Sequence, residues 1–365
     1  MKAKQRNTGL DLLRCIAVWL VLIRHLPNPS NAILKTIQVG GWIGVDIFFV
    51  LSGFLVAGLL FEEHKKTGNT RIGRFLIRRG LKIYPAFWAM ILVTVLVEHS
   101  NLATIVNELL FIQNYRSGLW THTWSLAVEE HFYLFLALLW YVTTKLKSLN
   151  NPNHRLIPVV FLLLAGACMF YRRTATVATM EGAWIVLFMT HTRIDGLMAG
   201  TALAWWWHYK RTEGHTEQLK KHGHWLILVG ITLLLPAFIG NVAKDGWLAV
   251  YGVTLFYIGA SLILIALYVN PPPGKLVKLL AMLGTFSYST YLWHLPLQAW
   301  IVTPLCKGNQ LLYTFTYLTG AWAVGIVMAK LIEFPVLKLR DAVTEKEVLR
   351  PRILPYWPSA TTCPK

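Results

Sequence analysis

Apolar runs separated by short polar breaks recur along the whole chain, and ten of them read as membrane spans: residues 10–26, 41–61, 81–98, 124–143, 156–171, 183–207, 224–240, 247–269, 278–303 and 311–333. The pattern predicts an all-α fold, a polytopic membrane helix bundle with about ten transmembrane helices. Residues 102–114 are shorter and amphipathic, which predicts an interfacial or re-entrant segment on the outer side. The expected organisation is a membrane domain over residues 1–337 and a cytoplasmic tail over 338–365.

Composition agrees with that reading. Of 365 residues, 55% are hydrophobic and 14% charged, which is no soluble globule. A net charge of +18 would suit a nucleic-acid partner, but the placement of the basic residues has a simpler cause. With a cytoplasmic N-terminus, 25 of the 35 Lys and Arg fall in cytoplasmic segments, 6 in outer segments and 4 within spans. That is the positive-inside pattern; it puts both termini in the cytoplasm and asks for no nucleic acid. Lys2, Lys4 and Arg6 ahead of an apolar run look like a signal peptide, but Asp11 and Arg14 interrupt the run, so an uncleaved first span is expected. Cys15, Cys168, Cys306 and Cys363 have no CxxC or His-partnered spacing, so neither a disulfide framework nor a metal site is expected.

The polar residues inside the spans fall mostly in four short motifs. In LDLLRCIAVWLVLIRH, Arg14 and His25 are eleven residues apart. On a helix that spacing puts both on one face, about 16 Å apart along the axis. Ionisable groups at such depth cost about 2.5 to 3.5 kcal/mol each and are functional candidates by default. The plainer alternative is an Asp11–Arg14 pair at the cytoplasmic interface with His25 capping the outer end. In GWIGVDIFFVLSGFL, Asp46 needs a partner, and His25 or Arg24 is expected at its depth; the pair is read as structural or catalytic on equal terms.

The third motif, RIGRFLIRRGLKIYP, puts Arg71, Arg74 and Arg78 on one helical face, forks suited to phosphate oxygens or, alternatively, to topology control and anionic lipid. In the fourth, WTHTWSLAVEEHFYLF, Ser125, Glu129 and Tyr133 share a face. His25 and Glu129 are expected at the same outer level, where a carboxylate orients a histidine base; a helix-capping role for Glu129 is the alternative. His191, Arg193, Asp195, Ser287, Tyr288 and His294 add polar lining to a bundle that has little.

Taken together, these motifs resemble the acyltransferase-3 family of membrane O-acyltransferases, in order as well as content, from about residue 8 to 337. Arg14 and His25 match its Arg-x10-His element, Arg71 and Arg74 its RxxR element, and TWSLAVEEHFYLF its SLAVEEQFYL-like segment; GVDIFFVLSGFL and YSTYLWHLPL are also similar. The resemblance implies transfer of an acyl group, usually acetyl, from cytoplasmic acyl-CoA to a hydroxyl of a carbohydrate or glycoconjugate at the outer side. A bacterial inner membrane is the implied location, with membrane lipid, acyl-CoA and the acceptor as partners.

By that resemblance Arg71, Arg74 and Arg78 hold the CoA phosphates, Arg14 holds the donor, and His25, oriented by Glu129, acts as general base or as an acyl relay. Asp46, Ser125, Tyr133 and His294 are further candidates for lining the donor and acceptor. His131 departs from the family pattern, which has Gln there. The chain ends about thirty residues after the last span, so a standalone enzyme without an SGNH-type domain is expected. A secondary transporter of a small anionic or sugar-containing solute is the competing class, with a similar span count but no repeat relating the two halves here.

Overall fold

Side-chain caps fix where the helices begin. Asn7, Asn31, Asn101, Thr212 and Asn309 each accept a backbone N–H from the first turn of the helix that follows. In a computed structural model describing residues 6–27, 29, 31–145, 154–178, 187–242 and 245–349, the chain is all-helical, with no strand among the described residues. The elements are α1 (Thr8–Arg24), α2 (Ala32–Gly40), α3 (Ile43–Thr67), α4 (Ile72–Val97), α5 (Leu102–Leu109), α6 (Trp124–Lys145) and α7 (Leu156–Ala178). They continue with α8 (Thr190–Tyr209), α9 (Glu213–Leu234), α10 (Val253–Val269), α11 (Lys275–Gly284), α12 (Ser287–Leu297), α13 (Gln310–Met328) and α14 (Phe334–Leu349).

Among the described residues, seven helical stretches are long and apolar enough to cross a membrane. Each of the ten expected spans overlaps a helix, but three fall outside those seven. α1 has only 17 residues, α8 carries Arg193 and Asp195, and the ninth span breaks into α11 and α12 at Thr285 and Phe286. On the outward faces Leu92, Leu96, Leu162, Leu163, Phe170, Leu311 and Phe315 are exposed, an apolar girdle suited to lipid.

Other boundaries shift for identifiable reasons. α4 starts at Ile72, nine residues before the expected span, so nearly all of the basic motif lies in the first half of that helix. α7 continues to Ala178, which carries Arg172 into the bundle instead of an outer loop. Only Leu102–Leu109 of the amphipathic segment is helical; the chain leaves the helix through Phe111 at φ 56°. α14 runs across residues 337 and 338. Lys2, Lys4, residues 146–153, the start of the sixth span at 183–186, Lys244 and the tail beyond Leu349 with Cys363 lie outside the described residues.

The centre of the bundle is α1 and α3 packed on one another, with α8 against α3 and α11 and α12 against α1. The α3–α8 approach depends on glycine. A Cβ at Gly53 would lie 1.9 Å from the Leu197 carbonyl oxygen, and one at Gly200 2.1 Å from that of Val50. Such close approach is how helices gain packing energy where lipid removes the hydrophobic drive.

Candidate active site

Two cavities open along α1. The smaller, about 120 Å³, is lined by Arg14, Arg79, Lys82, Glu129, Tyr133 and Ser52 among others. Arg14 is held by Asp11 at 2.5 Å, and Asp11 also takes Arg6 at 3.1 Å. Tyr133 donates to Glu129 at 2.9 Å and shares a 2.7 Å hydrogen bond with Ser52. Three cations therefore face one carboxylate, and the Nε of Arg79 is buried without a hydrogen-bond partner. Such a wall suits an anionic or strongly polar group.

The larger chamber, about 850 Å³, is lined by His25, His122, Arg24, Arg193, Gln113 and Trp120 among others. Val45 and Tyr291 line both spaces, so the two meet there. The Tyr291 hydroxyl donates to the His122 carbonyl at 2.5 Å and lies 2.6 Å from the Ser125 hydroxyl. A turn from Trp120 to His122 walls the chamber, followed by α6 at Trp124. Glu108 holds the preceding loop through the Leu119 N–H at 2.9 Å, and Asn107 through the Ser117 carbonyl at 2.9 Å.

His25 is the cap of α1, and its Nδ1 lies 2.9 Å from the Val21 carbonyl oxygen. A carbonyl oxygen only accepts, so the hydrogen-bond network assigns the proton to Nδ1 and leaves a lone pair on Nε2, the form a base needs. Gln298 donates to the His25 carbonyl at 2.7 Å. Gln298 opens the widened π turn Gln298–Val302 that follows Pro296. Pro296 has no N–H to close the regular ladder, and π turns of this kind gather at functional sites.

Three histidine rings run together here. His294 lies 4.9 Å from His25 and 4.8 Å from His122, ring centre to ring centre. His294 Nδ1 is on the Tyr291 carbonyl at 2.5 Å and His122 Nε2 on that of Leu292 at 3.1 Å. By the same reasoning their other nitrogens, both buried without a partner, carry lone pairs. Among the described residues, no cluster of three His, Cys, Asp or Glu could hold a metal ion.

The expected His25–Glu129 pair does not form. The two line different cavities and no hydrogen bond joins them. At His25's level the turn before α6 presents His122; Glu129 lies seven residues further on, about 10 Å along a helix axis. What orients His25 is the Val21 carbonyl of its own helix. Ser125, Glu129 and Tyr133 do share a face, and all three line the small cavity. The adjacent Glu130 turns away to accept from Tyr84 at 2.9 Å, and His131 pairs with Thr190 at 2.7 Å.

Asp46 pairs with neither His25 nor Arg24. It accepts from Arg193 at 2.7 Å, both groups buried, because α8 is drawn onto α3 by the glycine contact. A second buried pair, Arg172 with Asp195 at 2.9 Å, ties α7 to α8. In the basic motif Arg71 is the exposed residue ahead of α4, Arg74 lies 3.9 Å from Glu63, and Arg78 lies 3.5 Å from Asp341. The residues that enter the cavity are Arg79 and Lys82. His122 had no sequence signal beyond its place in the fourth motif.

An apolar-flanked bundle with a cation-lined cavity and a histidine-bearing chamber inside it defines an integral membrane protein. The chain belongs to the acyltransferase-3 family, whose acyltransferase domain matches residues 7–330. The peptidoglycan O-acetyltransferase OatA of Listeria monocytogenes is 30% identical over 334 residues, covering 83% of this chain and 51% of that protein. The O-acetyltransferase OatA of Staphylococcus aureus strain NCTC 8325 is 29% identical over 338 residues, covering 84% and 53%. The chain thus spans about half the length of the curated relatives it matches. No solved structure matches. The family match is to an acyltransferase domain and not to a transporter family.

Proposed function

We propose that this chain moves an acetyl group from cytoplasmic acyl-CoA to a hydroxyl of a cell-envelope glycan, with the small cavity as the donor end and the large chamber as the acceptor end. The reading places residues 1–337 as the acyltransferase domain in a bacterial inner membrane, with both termini and the 338–365 tail in the cytoplasm. What carries it is one observation: α1 contributes Arg14 to the small cavity and His25 to the large chamber, and the two spaces meet at Val45 and Tyr291.

A space of about 120 Å³ is compact, which suits the thin arm of the donor and not its nucleotide. Arg14, Arg79 and Lys82 therefore line the donor arm's route, the thioester carbonyl reaches His25 past Val45 and Tyr291, and the CoA phosphates stay at the mouth near Arg71, Arg74 and Arg78. His25 Nε2 takes the proton of the acceptor hydroxyl as its oxygen adds to the thioester carbonyl. Collapse of the adduct expels the thiolate, which regains a proton from the imidazolium. In a relay variant Nε2 attacks the thioester carbonyl and expels the CoA thiolate, and the acceptor hydroxyl then displaces the imidazole from the acyl group, its proton passing to the thiolate. Glu129 acts on the donor side, and Asp46 sets the wall through Arg193. One relative bears the name peptidoglycan O-acetyltransferase, so a peptidoglycan fragment is the first acceptor to try.

The test is thiol release from acetyl-CoA by purified protein in detergent, with and without a peptidoglycan fragment. Wild type should release CoA in step with O-acetylation, and His25→Ala should lose about 10²- to 10⁴-fold, the usual contribution of a general base. Normal transfer by His25→Ala would remove His25 from the chemistry.

A further inference from the structure

We infer that Glu108 is the latch of a strap, residues 112–120, that walls the large chamber, and that the strap is held while the Glu108 carboxyl is neutral and released when it ionises. The inference goes beyond the acyl-transfer reading and takes from it nothing but the chamber itself.

Every residue from Gln113 to Trp120 lines the chamber. The strap leaves α5 through Phe111, whose φ of 56° lies in the left-handed region that a bulky residue seldom adopts. It is tied back at both ends. Gln113 donates from Nε2 to the Thr123 carbonyl at 3.1 Å and Asn114 from Nδ2 to the Thr190 hydroxyl at 2.8 Å, while Trp120 donates from Nε1 to Thr94 at 2.9 Å. Between these ties the backbone is fastened to α5. Asn107 Nδ2 donates to the Ser117 carbonyl at 2.9 Å, and Glu108 Oε2 accepts the Leu119 N–H at 2.9 Å. Gly118 permits the second bond, since a Cβ there would lie 2.3 Å from Glu108 Oε2.

Glu108 is an unusual fastener. The residue is 0% exposed, its Oε1 has no hydrogen-bond partner, and no ion pair reaches it among the described residues. It faces Gly118 and Leu119 of the strap and Thr123 of the turn before α6. The Thr123 hydroxyl spends its proton on the Trp120 carbonyl at 2.7 Å, so it has a lone pair and no proton to offer. Charged neighbours on the same elements are engaged elsewhere: Glu98 at the end of α4 accepts from Trp300 at 2.7 Å, and Arg116 and His122 line the chamber. A carboxylate in this place has given up its water for a single N–H.

The direction of the switch follows. Burial pushes the Glu108 carboxyl from its ordinary 4.5 up to about 7, with the Leu119 N–H pulling the other way. A released strap returns the group to water and to its ordinary value. Because the latched value is the higher one, the hold is complete below about pH 4.5, weakens as the pH rises through about 7, and levels off above that.

The experiment is hydrogen exchange of the full chain in detergent at pH 6 and pH 8, read by mass spectrometry over the strap, with each rate divided by that of an unstructured peptide at the same pH. One carboxyl moving between 4.5 and about 7 shifts the latch equilibrium about tenfold over that interval, so wild-type protection should fall about tenfold. Glu108→Gln keeps an oxygen for the Leu119 N–H and cannot ionise, so its protection should be equal at the two pH values. Gly118→Ala, which forces the carboxyl off Leu119, should show low protection at both. A flat profile in wild type, the same tenfold fall in Glu108→Gln, or wild-type protection in Gly118→Ala would overturn the latch. On the same samples the KM for a peptidoglycan fragment should rise with pH in wild type and not in Glu108→Gln. A flat KM beside falling protection keeps the latch and removes the chamber from acceptor binding.

Discussion

The two cavities along α1 differ in size by about sevenfold, at about 120 and 850 Å³, and in what lines them. The small one is a knot of charge, with Arg14, Arg79 and Lys82 around Glu129. The large one is an aromatic room lined by Arg24, Arg116 and the Asp46-paired Arg193, with buried amide, imidazole and guanidinium atoms that have no hydrogen-bond partner. Fixed cations hold a group whose charge is constant, whereas amides beside aromatic faces recognise shape and hydroxyls. The contrast therefore assigns opposite ends of one transfer to the two rooms, with Tyr291 and Val45 between them.

The most drastic way to break the contrast is to push α3 and α8 apart. Gly200→Val places a methyl against the Val50 carbonyl and should cost more than about 4 kcal/mol, read as loss of monodisperse protein in detergent. Next, Arg193→Ala leaves Asp46 as a buried unpaired carboxylate and should cost about 3 to 5 kcal/mol in thermal unfolding, while Asp46→Asn with Arg193→Leu regains most of it. On the donor side Lys82→Ala should raise the KM for acetyl-CoA about 10- to 100-fold, matching a lost charge-assisted bond of about 1.5 to 3 kcal/mol. It should leave the KM for the peptidoglycan fragment unchanged; a matching loss there would merge the two rooms. Smallest is Ser125→Ala at the junction, which removes one hydroxyl contact to Tyr291 and should cost about 0.5 to 1.5 kcal/mol.

Much of this was legible in the chain. Arg14 and His25 line up because helix geometry fixes eleven-residue spacing, and Ser125, Glu129 and Tyr133 because it fixes four. Depth across helices was not legible. Glu129 and His25 seemed level only while α6 was counted without the turn that precedes it. The partner of Asp46 is Arg193, 147 residues away, and periodicity cannot choose among cations of similar depth. One error had a visible remedy. Phe75, Ile83, Ala86 and Met90 are the buried stripe of α4, and Arg79 and Lys82 lie on that stripe while Arg71, Arg74 and Arg78 do not. Following the apolar residues, not the clustering of arginines, would have named the cavity's cations.

The central claim is that an acyl group passes from the charged cavity to the aromatic chamber at His25. The most direct measurement uses proteoliposomes of oriented protein with labelled acetyl-CoA on the side of the Arg79 cavity and a peptidoglycan fragment only on the other. Label should appear on the enclosed sugar with wild type and fall at least about 100-fold with His25→Gln, which keeps size and polarity but has no base. Undiminished transfer of label by His25→Gln, or equal labelling when donor and acceptor share one side only, would contradict the account.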